Sequence, residues 1–452
     1  MSFTGLHIGS SGLSAAQRAL ETAGHNVANA QTKGYSRQRV ESSTASPVNA
    51  HRGLLGPGAT GQGVAIDAVS RAHDSLVSAN VRDTAAQAES WGTRANFFGR
   101  AEQILGPLDN GTSTALSDFW NSWEALSQSP ESATGRAQVL DAGRRVADSL
   151  NDAHSAVTTL RTDLGFSLAA KATEASDLAA EVALLNGSIK EARGAGNVPN
   201  DLLDRRDQAV TKLAGLTGAQ TVIESDGDAR VTINNMPIVD GVGADALTVT
   251  GTPPVLVWER TGDVVAAGGE LGALAELVTT GSQDILDRLD AIAVELRDVV
   301  NTAHQAGFGL DGVDGRPFFA GTGADDIGRD AGLTNDTVAA SASGAPADGN
   351  HAIAMGGLRS TPGTGGETVG EMINALQGFL GLESAHATSQ RDLAELVVND
   401  AWASLAEVSG VSIDEELTDM LRFQRAYDAS ARVITVIDQL LDRLINGTGA
   451  TR

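Results

Sequence analysis

Few residues of this 452-residue sequence are spaced for chemistry, and the first candidate is a glycine pattern at residues 56–61 (GPGATG). Its three glycines match the spacing with which dinucleotide-binding proteins hold a pyrophosphate, a site that needs a strand before the glycines and a helix after them. Here a proline interrupts the pattern, and the alternating residues 64–69 (VAIDAV) that follow favour a strand. We therefore interpret the glycines as a flexible loop.

Metal ligation is the second chemistry to consider. Residues 311–315 (DGVDG) suggest a calcium loop, but the acids are not at EF-hand positions 1, 3 and 5, and Thr322 stands where the bidentate glutamate is needed. A pair of Asp-Gly turns is the better interpretation. The eight histidines are scattered, with no two at the i, i+4 spacing of a helical zinc site. The sequence predicts no metal site and no cofactor.

Catalytic patterns are missing too. The sequence has no H-E-x-x-H, no G-x-S-x-G elbow and no phosphate-binding P-loop. The acids at residues 414–416 stand at a predicted helix start, where negative charge favours the helix dipole, so a structural role suffices for them. We predict that the protein is not an enzyme.

Composition excludes several further classes. The 57 acidic residues outnumber the 32 basic ones, giving a net charge of −25. The sequence has no cluster of basic residues that would bind nucleic acid or an anionic membrane. Cysteine is absent, which excludes disulfides, thiol catalysis and cysteine-ligated metals. No apolar run is long enough to span a bilayer. The first residues lack the basic and apolar regions of a cleavable secretory signal, so we expect none.

The elements that carry the strongest pattern are at the two ends. Near the N-terminus one series of large residues and one series of small residues each recur every seven positions: Leu6, Leu13, Leu20 and Val27, and Gly9, Ala16, Ala23 and Ala30. This is a heptad seam, and its small residues would let a partner backbone approach closely.

The C-terminus repeats the same period. One row contains Ile413, Met420, Tyr427, Ile434 and Leu441, and the other contains Phe423, Ile437 and Leu444. Leu417, Leu421, Val433 and Leu440 widen the apolar stripe, so this helix could contact more than one neighbour. Ser412 and Glu415 are spaced as a capping box at its start.

Between the ends, the hydrophobic period is 3.6 residues except near residues 221–258, where four short segments alternate with period 2. Residues 131–193 predict one long helix or a helical hairpin. The predicted fold is mainly α with an inserted small β domain (α+β). Its parts are residues 1–70 (N-terminal heptad helix and extended connector), 71–217 (first part of a long-helix bundle), 218–268 (β domain), 269–408 (second part, with a Gly-rich irregular segment at 305–366) and 409–452 (C-terminal heptad helix).

The two ends also resemble a known family. Residues 25–38 (HNVANAQTKGYSRQ) resemble the N-terminal signature of bacterial flagellar rod, hook and hook-associated proteins, and residues 409–416 (SGVSIDEE) and 421–427 (LRFQRAY) resemble the C-terminal one. The residues of these runs are most similar to those of the hook-associated protein 1 family. Supporting segments are 61–64 (GQGV), 200–207 (NDLLDRRD) and 301–307 (NTAHQAG). His25 replaces the first Asn of a common pair, and residues 320–366 are short where larger relatives carry an outer β domain.

The resemblance implies a structural subunit of the bacterial flagellum that joins hook to filament by head-to-tail self-assembly. Its expected partners are further copies of itself, the hook protein, the second hook-associated protein and an export chaperone at the C-terminal helix. The expected location is extracellular, after export by the flagellar type III apparatus. A rod or hook subunit is the alternative, which the helical block at 71–216 argues against. A secreted enzyme would need a catalytic cluster.

On this interpretation the terminal helices form a coiled-coil layer on assembly. The predicted N-terminal interface residues are Leu6, Leu13, Ala16, Leu20, Ala23, Asn26, Val27, Asn29, Gly34 and Tyr35. The predicted C-terminal ones are Ile413, Leu417, Met420, Phe423, Gln424, Tyr427, Ile434, Ile437, Leu441 and Leu444. The free energy that an isolated helix pair gains by burying apolar surface is smaller than the entropic cost of ordering its residues. We therefore hypothesise that both ends are largely disordered in the free monomer.

Overall fold

The computed structural model describes residues 4–45, 61–106 and 111–447, with side chains as far as residue 443. Residues 56–60 of the glycine pattern lie outside these ranges. The helices are α1 (Thr4–Asn29), α2 (Ser75–Leu105), α3 (Thr112–Ser127), α4 (Ala133–Gly194), α5 (Asn200–Thr217), α6 (Gly269–Glu276), α7 (Ser282–His304), α8 (Asn350–Gly357), α9 (Val369–Ser409) and α10 (Ile413–Gly447). A π-helical turn, Leu277–Gly281, joins α6 to α7.

The strands are short and antiparallel. They are β1 (Gln38–Thr44), β2 (Val64–Arg71), β3 (Gln220–Ile223), β4 (Ala229–Ile233), β5 (Met236–Asp240), β6 (Gly243–Ala244), β7 (Leu247–Thr250), β8 (Val255–Trp258), β9 (Phe319–Ala320) and β10 (Gly328–Arg329). The strands β3 to β6 form one sheet in sequence order, and β7 pairs with β8. The fold is therefore mainly α with small β elements, as predicted, while the domain boundaries stay predictions.

Helix α4 is the longest element, with 62 residues, which at 1.5 Å per residue is about 90 Å. The Ser132 hydroxyl caps it by accepting the N–H of Gly135 at 3.1 Å. Its buried side chains recur at three- and four-residue spacing along the whole length, from Val139 to Ile189. Of the two alternatives left by the sequence, the structure has the single helix, since the apolar stripe packs continuously on α3, α5 and α7.

The scarce aromatic residues are concentrated in one part of the core, where α3 meets α7 and the segment before β9. The rings of Phe119 and Trp123 lie 5.3 Å and 5.8 Å from the ring of Phe318, measured between centroids. Gly143 of α4 makes room for this cluster, because a Cβ there would lie 2.4 Å from the Phe318 ring. Aromatic burial therefore locks α3, α4 and α7 together.

Polar contacts seat the small sheets on the helices. The side chain of Asn186 in α4 donates to the carbonyls of Ala229 and Gly241 and accepts the N–H of Ala229. Arg206 of α5 donates to Asn186 and to the carbonyl of Gly227 at 2.8 Å. Both side chains are buried, so the sheet of β3 to β6 is held on the α4–α5 pair by buried hydrogen bonds.

Two local expectations are corrected. The sequence predicts separate helices at 367–381 and 384–408, but α9 continues through Gly381 for 41 residues because it packs along α2. Its start is a complete capping box of Thr368 and Glu371. Within the segment 305–366, expected to be loops and short strands, α8 forms and buries Ala352 and Met355.

The terminal helices pack against each other within the chain. Gly5 faces Ile437 while Asn26 faces Glu416, so α1 and α10 run antiparallel. The β1–β2 ribbon lies along α1, with Gln38 opposite Arg71 near one end. This ribbon, the connector between α1 and β1, and the link at residues 410–412 join the terminal pair to the remaining helices and strands, which we call the body.

Candidate assembly site

The contact between α1 and α10 is built on small residues. A Cβ at Gly9 would lie 2.8 Å from the Ile434 side chain, and one at Gly5 would lie 3.0 Å from Ile437. A Cβ at Gly12 would lie 3.0 Å from the hydroxyl of Ser430. The small-residue row therefore faces α10 at close range.

The predicted N-terminal residues divide according to size. Ala16, Ala23 and Asn26 are buried in the α1 seam. The large residues Leu6, Leu13, Leu20 and Val27 are only half-buried, because they flank the seam rather than fill it. Asn29 is half-buried and donates to the carbonyl of His25 at 3.0 Å. The large row thus keeps apolar surface available beside the pair.

The predicted C-terminal residues divide likewise. Met420, Phe423, Ile434, Ile437 and Leu441 are half-buried, whereas Ile413, Leu417, Gln424 and Tyr427 are exposed. The side chain of Leu444 lies outside the described part. Among the described side chains of α10, only that of Glu416 is buried. None of the nine described interface residues predicted on this helix is therefore fully buried in the single chain, and four of them face water.

The end of α1 is tied to the rest of the molecule by Asn26, which is 1% exposed. Its amide nitrogen donates to the carbonyl of Gln38 at 2.9 Å and to the Glu416 carboxylate at 3.0 Å. Its oxygen accepts the Tyr35 hydroxyl at 2.8 Å and the N–H of Gln38 at 2.9 Å. All four hydrogen-bonding positions of the amide are used, which explains an asparagine at a buried place.

Arg37 extends this network from the connector to α10. Its Nε donates to Glu416 at 2.5 Å and a terminal nitrogen donates to Glu415 at 2.8 Å. Its backbone N–H donates to the carbonyl of Ser409 at the end of α9, and its carbonyl accepts the N–H of Ala72 after β2. One residue therefore joins the ends of α9 and β2 to the start of α10.

Asp204 on α5 attaches the same connector to the body. Its carboxylate accepts the N–H of Ser36 at 3.0 Å and a guanidinium N–H of Arg71 at 2.8 Å. Arg71 also contacts Asp207 at 2.6 Å. We call Asn26, Tyr35, Arg37, Arg71, Asp204 and Glu416 together the polar joint.

A glycine is needed beside the polar joint. Gly34 has φ +77°, and a Cβ there would lie 2.3 Å from the side chain of Gln208. Both the left-handed backbone and the close approach exclude larger residues.

The protonation states of the joint follow from its environment. Burial, then the charges of Asp201 and Asp204, raise the pKa of Tyr35, so its hydroxyl stays protonated and donates. Burial would lower the pKa of Arg37, but the charge and hydrogen bond of Glu416 outweigh it and raise the pKa. Burial, then the charge of Arg71, lower the pKa of the nearby His73.

Neither the heptads nor any catalytic pattern in the sequence points to Arg37, Arg71, Asp204 or Glu416 as site residues. A signal was present, because Arg37, Asp204 and Glu416 lie in the runs 25–38, 200–207 and 409–416 that carry the family resemblance. The capping box expected at Ser412 is only half formed. Its hydroxyl is 3.5 Å from the N–H of Glu415, whose carboxylate binds Arg37 instead of closing the box.

Within residues 4–45, 61–106 and 111–447, no three acids or histidines are grouped to hold a metal ion. Among the described helices none is both long and apolar enough to cross a membrane.

Three family models match the chain. The model described as the helical domain of flagellar hook-associated protein FlgK matches residues 98–319. The model of the flagellar basal body rod protein matches residues 6–35, and the C-terminal model of the FlgEFG rod proteins matches residues 404–447. The last two cover most of α1 and all of α10.

Individual proteins give the same result. Flagellar hook-associated protein 1 of Bacillus subtilis is 29% identical over 99% of this chain and 98% of its own. That of Escherichia coli is 28% identical over 72% of this chain and 60% of its own. A solved structure titled as the flagellar hook junction protein FlgK of Burkholderia pseudomallei shares the fold, with a TM-score of 0.63 at 14% identity over 73% of this chain and all of its own.

Proposed function

This chain belongs to the flagellar hook-associated protein 1 family, and from that premise we propose that it is the adaptor subunit between hook and filament. The family is a structural one of the flagellum, so the protein is an axial component that assembles with other axial proteins and is not an enzyme. Head-to-tail self-assembly through the terminal helices, and location outside the cell after type III export, are parts of the proposal.

The observation that carries the proposal is the unpartnered apolar surface of the last two helices. On α10, Ile413, Leu417 and Leu421 are between 43% and 59% exposed, although each is a large aliphatic residue. Leu393 and Leu396 of α9 are 54% and 68% exposed. Contiguous exposed apolar residues of this kind mark an interaction surface. In an axial structure, the neighbouring subunits are the proteins that would cover such a surface.

The partners that we propose would cover this same surface. We propose that further copies of this chain cover it within the assembly, with the hook protein on one side and the second hook-associated protein on the other. Before assembly an export chaperone binds α10, whose exposed apolar positions are spaced for a helix-binding groove.

The alternative is a rod or hook subunit, since the rod models match both termini. The match of a hook-associated helical domain to residues 98–319 favours the junction.

Genetic deletion tests the junction against this alternative. A strain without the gene is expected to build hooks, to release filament protein and to be non-motile. Filaments growing on such a strain would contradict the junction role, and loss of the hook itself would favour the rod or hook subunit.

Complementation with surface variants then tests the apolar stripe. A chain with Leu417→Asp and Leu421→Asp is expected to be made but not to restore filaments, because two charges replace the contact surface. Leu184→Asp is the matched control, since this leucine is 74% exposed on α4 and away from the termini. Equal complementation by both would contradict a role for the stripe.

A further inference from the structure

Helix α10 presents a basic and apolar face on the side turned away from α1. Arg422, Arg425 and Arg432 are exposed at three- and seven-residue spacing, and Val436 and Leu440, which are 54% and 40% exposed, follow on the same side. Arg425 and Arg432 form no ion pair with any of the described residues. In a chain of net charge −25, this local excess of arginine is unusual.

The outer face of α9 is complementary in both charge and polarity. Leu393, Leu396 and Val397 are between 52% and 68% exposed. The charges around them are acidic, with Asp392, Glu395, Asp400 and Glu407 all exposed. The one cation between residues 382 and 409 is Arg391, which is already paired with Asp392 at 2.7 Å.

The two faces do not meet within one chain. Each is exposed, and residues 410–412 link the end of α9 to the start of α10. The side chain of Arg37 holds the start of α10 through Glu415 and Glu416, while its N–H binds Ser409 at the end of α9. Folding α10 back onto α9 would break these contacts at the polar joint.

We propose that the arginine face of α10 docks on the acidic leucine face of α9 in a second copy of the chain. The contact joins two different surfaces, so it is heterologous and can propagate around a ring or along a helix. Because the monomers repel one another through their net charge, the arginines supply local attraction and register where the apolar residues meet. This inference names the partner surface within the proposed self-assembly and rests on that function.

Cysteine cross-linking tests the docking directly, since the chain has no cysteine of its own. Val436→Cys and Leu396→Cys are made as separate full-length variants, mixed at high concentration and treated with a short bismaleimide reagent. A cross-linked dimer that contains one copy of each variant is expected. Mixing separate variants excludes a link within one chain.

The matched control pairs Val436→Cys with Ile353→Cys, a residue that is 57% exposed on α8. Equal yields from the two mixtures would overturn the docking. A Val436→Cys homodimer in place of the mixed dimer would overturn it too, because it would show two α10 faces meeting.

Charge reversal supplies a second test. Arg425→Glu with Arg432→Glu is expected to weaken the mixed cross-link about tenfold, the scale of 1.4 kcal/mol. Asp400→Arg with Glu407→Arg on the other variant is expected to restore it. The charge pairing would be overturned if the arginine-reversed chain cross-linked as well as the unaltered one. It would also be overturned if the changes at Asp400 and Glu407 did not restore a weakened cross-link.

The cellular result separates the two proposals. If deletion blocks filament attachment but the reversed arginines complement fully, the junction role holds and the docking is wrong. If the arginine-reversed chain loses only chaperone binding and still cross-links, then the α10 face serves export and the docking is overturned as well.

Discussion

A single buried carboxylate decides how the terminal helices meet the body. Glu416 is 2% exposed and lies between the amide of Asn26 and the guanidinium of Arg37. Removing one member of a buried ion pair leaves the other charge uncompensated, which costs more than the pair itself contributes. The polar joint is therefore sensitive to single substitutions in a way that the exposed ion pairs of α4 are not.

We expect Arg37→Ala to lower the free energy of unfolding of the terminal pair by about 3 kcal/mol, because Glu416 would remain buried without its cation. Hydrogen exchange of α1 and the first turns of α10 measures the change. Arg144→Ala, which removes exposed pairs with Asp141 and Asp148, is the control and should change little. Equal effects of the two substitutions would contradict the importance of burial.

His304 gives the fold a pH dependence. Burial lowers its pKa from 6.5 to about 4, and its ring accepts the N–H of Ala339 while bonding the carbonyl of Arg316. The unfolded chain binds this proton at a higher pH than the native one. The stabilisation is complete above pH 6.5 and is lost as the pH falls toward 4.

Urea unfolding at pH 7 and pH 5 measures this loss. The His304→Gln variant cannot titrate there, so its stability should fall less between these pH values, although it starts lower. A variant with the same pH dependence as the unaltered protein would show that another group is responsible.

At the scale of elements, the α1–α10 pair depends on missing side chains. The row of Gly5, Gly9 and Gly12 allows an approach that a Cβ would prevent, whereas Gly24 has nothing within 4 Å of its Cβ position. The same residue type thus has opposite consequences along one helix. Glycine is required in the seam and costs helix stability outside it.

Gly9→Val is expected to weaken the pair by about 1–3 kcal/mol through overpacking. Gly24→Ala should strengthen α1 by up to about 1 kcal/mol through helix propensity. Urea titration of the helical circular dichroism signal separates them, and destabilisation by both would contradict the packing seen at Gly24.

The order of the terminal helices in the free monomer stays a prediction. Because Glu416 is buried near the polar joint and the described remainder of α10 is half-buried or exposed, we expect amide protection to decrease from the joint toward residues 5 and 443. Hydrogen exchange in dilute solution measures the gradient. Strong, uniform protection over residues 5–30 and 415–443 would contradict it.

At the scale of the whole molecule, the strands β3 to β8 lie in one segment of the chain whose two ends are in contact. The N–H of Gly268 donates to the carbonyl of Thr217 at 2.8 Å, and a Cβ at Gly268 would lie 3.3 Å from the Cα of Gly218. The chain therefore leaves the helical frame and returns to it at nearly the same point. The end of α5 therefore lies directly beside the start of α6, and the strands between them are not needed to connect the two helices.

Replacing residues 219–267 with a short glycine linker is expected to leave the helices folded but less stable, since α4 loses its cover near Ala175 and Val182. Circular dichroism per helical residue should be retained while the unfolding midpoint falls. Loss of the helical signal would contradict an inserted β domain and the boundaries predicted for it.

The sequence by itself determined most element types, although not helix α8 or the continuity of α9, together with the absence of recognisable catalytic motifs and the family resemblance. The hydrophobic period is a local property of the chain. The heptads, the three- and four-residue spacing in α4 and the alternating strands can therefore be recognised without knowing what each element packs against. Only the tertiary structure decided which side of each heptad faces its neighbour. It placed Gly9 rather than Leu13 in the seam.

Only the tertiary structure, likewise, brought Asp204 to Ser36 and Glu416 to Arg37, across 168 and 379 positions. Such contacts depend on where whole helices pack, and no periodicity along the chain encodes that. The acids at 414–416 favour a helix start in any context, and only the folded connector turns two of them into the partners of Arg37.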